Sequence, residues 1–485
     1  MINSIQHFAQ DGAKNLTEVF ERYTDDLTKI AEMVQGVTDE MVCLGTSIIA
    51  EEWESYDELL RKRSDLRPGW HIVRKDAVTR TTSLGNVTYK RTLFKHAATG
   101  TSCYLLDQLM QMENHTRITE DAAARILEEA AESCYRKGGM NASITGADIT
   151  KTTVMNKIHA LEFPKLPAPD EKKSVRTLYI DADEDHVSLQ YLERKGDIRK
   201  PRNNTAMPYI VYVYEGVETG DDGRPGLVCP AYFGGIYEGT EGVRRLWDEV
   251  YRYIENAYDV NALEKIYITG DGAAWIKSGA KYIRQASFRL DKYHTHKYII
   301  TATAHLGDSA ADARSEIYRA IHKKKKWMAE GAFDHILAVT EPESKRKAVE
   351  AAKAYILGNW SGILRSMTGE DKHVGCSAEG HVSHIYADRM SSRPSGWCRR
   401  GADRMARLRV YRQNRQSMLE LVRYQKKEFK MAAGAEEVVY SATQMISMEN
   451  RNKERLGVLA DMPVYSIPYP QIKKIAALKN HIWGL

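Results

Sequence analysis

In LTEVFERYTDDLTKIAEMV apolar residues recur every three or four positions, so residues 1–63 read as a helical region. A turn signal at Arg67-Pro68-Gly69-Trp70 ends that period. WHIVRKDAVTRTTSLGNVTYKRTLFKH then alternates as two or three strands turning at Gly85-Asn86. Arg74, Lys75, Arg80, Lys90, Arg91 and Lys95 are expected on its outward side, which makes a small basic sheet. EDAAARILEEAAESCYRKGG follows as an amphipathic helix stopped by Gly-Gly. TKTTVMNKIHAL is a second helix, capped by Thr150, with Val154, Ile158 and Leu161 on one side. Helix, glycine-containing turn and short helix is the pattern of a helix-turn-helix. It would turn Lys151, Thr152, Asn156 and Lys157 towards a DNA groove; a plain helical hairpin gives the same pattern.

FPKLPAPDEKK, residues 163–173, is a proline-punctuated linker and marks a domain boundary. Beyond it RTLYIDAD, PYIVYVYEG and LVCPAYFGGIY read as successive strands. VRRLWDEVYRYIENAY is a helix, KIYITG a strand, GAAWIKSGAKYI a helix, ASFRLD a strand and KYHTHKYIITATA a helix. This alternation is of the α/β class. Residues 306–365, which include KKKKW and RKAVEAAKAYILGNW, interrupt it with charged helical sequence. The expected division is a helical region 1–63, a basic sheet with the helix-turn-helix candidate at 64–172, a core at 173–305, a helical insertion at 306–365, the rest of the core with a basic helix at 366–430, and a tail at 431–485.

Composition narrows the class. At 485 residues, 43% hydrophobic and 28% charged, the chain suits several folded domains. It has no apolar run of about 20 residues, so no membrane span is expected. The N-terminus lacks the basic-then-apolar order of a secretory signal. Six cysteines are scattered without a CxxC pair, which favours reduced thiols in a cytoplasm over a disulfide framework or zinc ribbon. The net charge of +5 is uneven. From Arg393 to Lys430 twelve Lys/Arg face three acidic residues, a local +9, which leaves −4 for the remainder. Such a segment suits a polyanion such as DNA, with a solvated basic helix as the alternative.

Three acidic features stand out. In LYIDADEDHVSL, Asp181, Asp183 and Asp185 share one side of a strand, where like charges call for a compensating cation. Mg2+, which takes oxygen ligands, is the natural one; a solvated strand end is the plainer reading. In KIYITGDGAAWI, Asp271 stands where the strand ends, the place open α/β sheets put their chemistry, although a helix N-cap explains it too. Glu379 lies in VGCSAEGHVSH beside Cys376, His381 and His384. That C-x4-H-x2-H spacing is not a usual zinc set, so Glu379 is the better metal candidate.

Taken in order, ADEDHVSLQ, YFGGIYEG, IYITGDGAAWIKSG, LDKYHTHKY, VGCSAEGHVSH and SSRPSGW resemble the ISLre-type bacterial insertion-sequence transposases, relatives of the mutator-type DDE transposases. SLGNVTYKRTLF and SCYRKGG extend the likeness towards the N-terminus. The resemblance implies an RNase H-like catalytic core with a helical insertion between the second Asp and the Glu. It places the metal-binding triad on Asp183, Asp271 and Glu379, with Asp181 and Asp185 as alternative first carboxylates, and puts His294 near the scissile phosphate. It also implies two Mg2+ (or Mn2+) ions acting in phosphoryl transfer on double-stranded DNA. Arg393, Arg399, Arg400, Arg404 and Arg407 would bind backbone phosphates, while the basic sheet with Lys151, Asn156 and Lys157 would read the element ends. Synapsis of two ends implies a homodimer or larger assembly. The competing expectations are a host nuclease of the same fold without strand transfer, and a catalytically silent DNA-binding protein.

Overall fold

The computed structural model describes residues 3–113, 115–190, 204–221, 223–369, 374–393 and 395–426. The expected tail, 431–485, and the end of the basic segment lie outside them. The chain divides into two units: the described residues up to Arg125 with Met140–Asp148 and Lys426, and a second unit of Ile126–Gly139 with Ile149–Gln425.

In the first unit the helical period of the N-terminus gives helices Ala13–Asp25 and Ile30–Lys62. The alternating stretch gives β1 (Trp70–Thr81), β2 (Asn86–His96) and β3 (Ser102–Tyr104), antiparallel in that order. The long helix caps the rim of β2. Glu54 and Asp57, one turn apart, accept hydrogen bonds from the backbone N–H groups of Lys90 and Thr92, each at 2.7 Å. Leu60, Trp70, Phe94 and Leu105 close the core beneath, each side chain worth roughly 1.5–3 kcal/mol of burial. The expected basic side loses two members. Arg80 is buried and donates to Asp107 at 2.9 Å, and Arg91 pairs with the same carboxylate and lies 3.7 Å over the Tyr104 ring. A buried carboxylate needs countercharge, and these two arginines supply it. Arg74, Lys75, Lys90 and Lys95 are exposed.

The second unit is built on a mixed α/β sheet. Its strands follow in the chain as β4 (Thr177–Glu184), β5 (Val187–Ser188), β6 (Thr205–Ala206), β7 (Pro208–Tyr214), β8 (Gly216–Thr219), β9 (Pro225–Val228), β10 (Ala231–Ile236), β11 (Lys265–Gly270) and β12 (Ala286–Leu290). The large sheet runs β10-β7-β4-β11-β12, while β5 with β6 and β8 with β9 form small hairpins. β10, β7 and β4 pair antiparallel; β4, β11 and β12 pair parallel. LVCPAYFGGIY is thus two strands, not one. Cys229 takes φ 49° and Pro230 has no N–H for a ladder, so the chain breaks between β9 and β10.

Helix Gly239–Ala257 buries Leu246, Trp247, Val250 and Ile254 in the core shared with Ile180, Val211 and Ile268. The expected insertion forms helices Ala310–His322, Lys326–Ala338, Glu343–Gly358 and Trp360–Thr368. Their Ile317, Phe333, Ile356 and Ile363 join that same core, so these helices enlarge it rather than standing apart.

The segment before β4 also differs from expectation. The helix beginning at Glu120 ends at Glu132, and Gly138-Gly139 lies inside a separate helix, Tyr135–Met140. A Cβ at Gly139 would meet the Ile149 carbonyl oxygen at 2.1 Å, so this glycine permits close packing instead of stopping a helix. Helix Lys151–Ala160 is capped by Thr150, which accepts from the Thr153 N–H at 3.2 Å. Its buried Val154 and Ile158 and its packing against helix Arg399–Gln413 put it, and the proline-rich stretch 163–173, inside the second unit. Lys151, Thr152 and Asn156 are exposed and Lys157 is half-buried.

Candidate active site

The register of the parallel strands sets the site. Thr269 of β11 stands opposite Asp181 of β4, and Gly270 opposite Leu290 of β12. Two residues past the first pair come Asp183 and Asp271; one past the second come Asp271 and Asp291. Three aspartates therefore stand level at the carboxyl ends of three neighbouring strands, with about 4.8 Å between strands. They line a cleft of about 390 Å3, with Glu379, His294 and Cys376 completing the wall.

Of the four carboxylates in LYIDADEDHVSL, only Asp183 lines this cleft. Burial pushes its carboxyl up to about 7, with the charges of Glu184, Asp271 and Glu379 acting in the same direction. Asp181 is fully buried behind it. It accepts from Tyr212 Oη at 2.9 Å and the Ser377 N–H at 3.1 Å, and from Tyr214 Oη at 3.3 Å. Burial pushes it up to about 6 despite those donors. Asp185 lies past the strand end, where it accepts from the His186 N–H at 2.7 Å and from Ser391 Oγ at 3.0 Å.

Asp271 occupies a tight turn. Its Oδ1 accepts from the Ala273 N–H at 2.8 Å, Gly272 takes φ +94°, and Tyr355 Oη donates to its carbonyl. Tyr355 comes from helix Glu343–Gly358 and stacks on Tyr298 at 3.7 Å, so the helices after β12 buttress the Asp271 turn. Asp271 accepts from the following turn, as an N-cap does, and its side chain lines the cleft as well.

Asp291 was not among the residues singled out from the sequence. It is buried, it caps helix Lys292–Thr303, and its Oδ2 lies 3.0 Å from His294 Nδ1. The other ring nitrogen, Nε2, is 3.8 Å from Glu379 Oε1. Asp291 raises the His294 pKa, with Asp271 and Glu379 adding to the effect against partial burial. The signal was present: ASFRLD ends a strand in Asp immediately before a helix, as KIYITGD does.

Glu379 opens a helical run that passes through a π-turn at Ser383–Ala387, and its side chain is 68% exposed. His381 is turned away from the cleft. Its Nδ1 faces the Ser377 carbonyl at 2.9 Å, its Nε2 faces Tyr232 Oη at 3.1 Å, and desolvation lowers its pKa. Among the described residues no three His, Cys, Asp or Glu side chains form a ready-made metal cluster. All six cysteines are free thiols.

The basic segment is divided between surface and interior, with Arg399 and Arg400 exposed and Arg409 buried. Arg399 pairs with Glu238, and Arg400 donates to the His159 carbonyl at 2.8 Å. Arg404 is 3.6 Å from Asp403. Arg407 binds Asp403 at 3.0 Å and lies over the Tyr237 ring, which makes it a packing arginine rather than a phosphate contact. Arg409 is buried, with Glu132 at 2.9 Å and the Ala131 carbonyl at 2.5 Å as acceptors. Arg393 is exposed.

Comparison with known proteins gives no activity. Relatives come from Caldanaerobacter subterraneus subsp. tengcongensis (strain DSM 15242 / JCM 11007 / NBRC 100824 / MB4). One UPF0236 protein is 37% identical over 407 residues, covering 83% of this chain and 82% of its own length. Another is 36% identical over 411 residues, covering 84% of each. A third, 35% identical over 402 residues and covering 83% of this chain and 81% of its own length, carries eleven locus designations, so the family is present in many copies in one genome. The pattern described as "Uncharacterised protein family (UPF0236)" matches residues 23–428, and the chain belongs to that family.

Proposed function

We propose that the chain is the DNA transposase of an insertion element, a DDE enzyme that cleaves and joins DNA strands in an RNase H-like core. The observation that carries this reading is the level row of Asp183 and Asp271 at the ends of two adjacent parallel strands, with Glu379 facing them across the cleft. The strand order, three antiparallel strands continued by two parallel ones, supports the RNase H-like assignment. The many copies of its relatives in one genome suit a mobile element.

The donor set fits a hard cation. Asp183, Asp271 and Glu379 offer only oxygen, and burial, with the charges of Glu184, Asp271 and Glu379 adding to it, raises the Asp183 carboxyl. These three would hold two Mg2+ (or Mn2+) ions, which when bound supply charge neutralisation at the phosphate and its attacking and leaving oxygens. The protein's own groups do the rest. Asp291 fixes the His294 ring so that Nε2 faces the Glu379 side of the cleft, and the proton favoured there would meet a non-bridging phosphate oxygen. Tyr355 and Gly272 hold the Asp271 turn rigid, as in-line displacement requires. Arg393, Arg399 and Arg400, with Lys151 and Asn156, are exposed and would serve the DNA backbone or groove.

End-labelled duplex carrying the element termini, incubated with the protein and Mg2+, tests the reading. Nicked ends that become joined to target DNA are expected. Cleavage without joining would leave the nuclease reading, and neither product with any divalent metal would remove catalysis.

A further inference from the structure

A second cavity, of about 850 Å3, adjoins the carboxylate cleft, and Cys376 lines both. Its other walls come from the β8–β9 hairpin, from Tyr232 and His381, and from Gln413, Asn414 and Arg415. The volume falls in the range of pockets that enclose a nucleotide-sized ligand. The two cavities have opposite chemistry. The cleft is walled by Asp183, Asp271, Asp291 and Glu379, whereas the described residues that line the groove include no Asp or Glu and one arginine.

The groove is built rather than incidental. Both amide atoms of Asn414 are spent on β10: Oδ1 accepts from the Tyr232 N–H at 2.9 Å, and Nδ2 donates to the Tyr232 carbonyl at 2.8 Å. That clamp fixes the end of helix Arg399–Gln413, and the next residue, Arg415, turns through φ 55°, a conformation rare for a side-chain-bearing residue. Its exposed side chain lines the groove. The His381 ring has Ser377 and Tyr232 at its two nitrogens and lies 4.4 Å from the Tyr212 ring. With both nitrogens engaged and Tyr212 packed against one side, what the ring has left to offer a ligand is its other face. Ser377, the hinge between groove and cleft, donates its N–H to Asp181 and so ties the groove wall to the strand that carries Asp183.

We propose that this groove seats an unpaired nucleotide of the DNA strand whose scissile phosphate lies at Asp183 and Asp271, a proposal that rests on the transposase reading. The base lies against the His381 ring with its edge towards the Gln413 amide, and Arg415 takes the neighbouring phosphate. A cation, an amide and a ring face beside a carboxylate site match the phosphate, edge and face of one nucleotide.

Fluorescence anisotropy in Ca2+ tests this with three labelled duplexes: blunt, bearing a three-nucleotide unpaired tail, and bearing the same tail without bases. Wild type is expected to bind the tailed duplex at least about fivefold tighter than the other two. The exposed-residue variant Gln413→Ala/Arg415→Ala is expected to bind all three alike, and its affinity for blunt duplex serves as the control for folding. A wild type without tail preference, or a variant that keeps it, overturns the groove assignment. Mg2+-dependent cleavage of blunt duplex, measured in parallel, separates the two readings. Cleavage without tail preference overturns the groove and leaves the transposase standing. Tail preference without cleavage supports the groove as a nucleotide site and counts against the transposase.

Discussion

Asp183 carries the charge balance of the site. Its carboxyl is raised from 3.8 to about 7, first by burial and then by Glu184, Asp271 and Glu379. A carboxyl raised on folding contributes stability that is fully present below its unfolded value and is lost as pH rises through the folded one. Without divalent ions, the protein is therefore expected to lose stability between about pH 4 and 7, by up to about 1.4 kcal/mol per pH unit. Asp183→Asn removes that titration. In urea denaturation with chelator, the stability difference between variant and wild type should widen steadily over this window. A difference that stays flat would mean Asp183 is not the strained group. The sequence showed three aspartates on one side of a strand but could not rank them. Burial under Tyr212 and Tyr214 sets Asp181 apart, and those tyrosines reach it across a sheet pairing that period-two alternation does not reveal.

At the scale of elements, the strands and helices of the second unit were largely legible because their apolar periods are long and their turns carry Gly, Asn or Asp. Contacts between distant segments were not. Gly234 in β10 lies so close to the π-turn that an added Cβ would meet Tyr386 Oη at 2.1 Å and the Tyr209 carbonyl at 2.6 Å. Gly234→Ala should cost roughly 1–3 kcal/mol by overcrowding, read as a lower denaturation midpoint with unchanged slope. A neutral result would show that β10 and the turn separate easily. The basic helix teaches the same lesson. From sequence Arg393 and Arg407 looked alike, yet Arg407 is held by Asp403 and Tyr237. Arg407→Ala is expected to lower thermal stability by several degrees with little effect on DNA affinity per folded molecule. Arg393→Ala should do the reverse, weakening DNA binding and flattening its salt dependence. Equal effects on DNA affinity would return Arg407 to the phosphate-binding set.

For the whole molecule, the α/β sheet gathers residues more than a hundred positions apart. Asp183, Asp271 and Asp291 arrive through strand register, and Glu379 arrives on a helix beyond four others that extend the same core. Periodicity could locate the strands, but only the order β10-β7-β4-β11-β12 makes their ends neighbours. Asp291 went unnoticed because a strand-ending Asp looks like any helix cap until that order is known. No helix of the described residues is long and apolar enough to cross a membrane. The central claim is that one carboxylate cleft performs cation-dependent phosphoryl transfer on DNA. It is tested most directly by the Mg2+-dependent cleavage rate of element-end duplex for wild type, Asp183→Asn, Asp271→Asn, Glu379→Gln and the control Asp185→Asn. The account predicts losses on the order of a thousandfold or more for the three cleft variants and near-wild-type cleavage for Asp185→Asn. Cleavage that survives all three substitutions, or that fails only with Asp185→Asn, would contradict it.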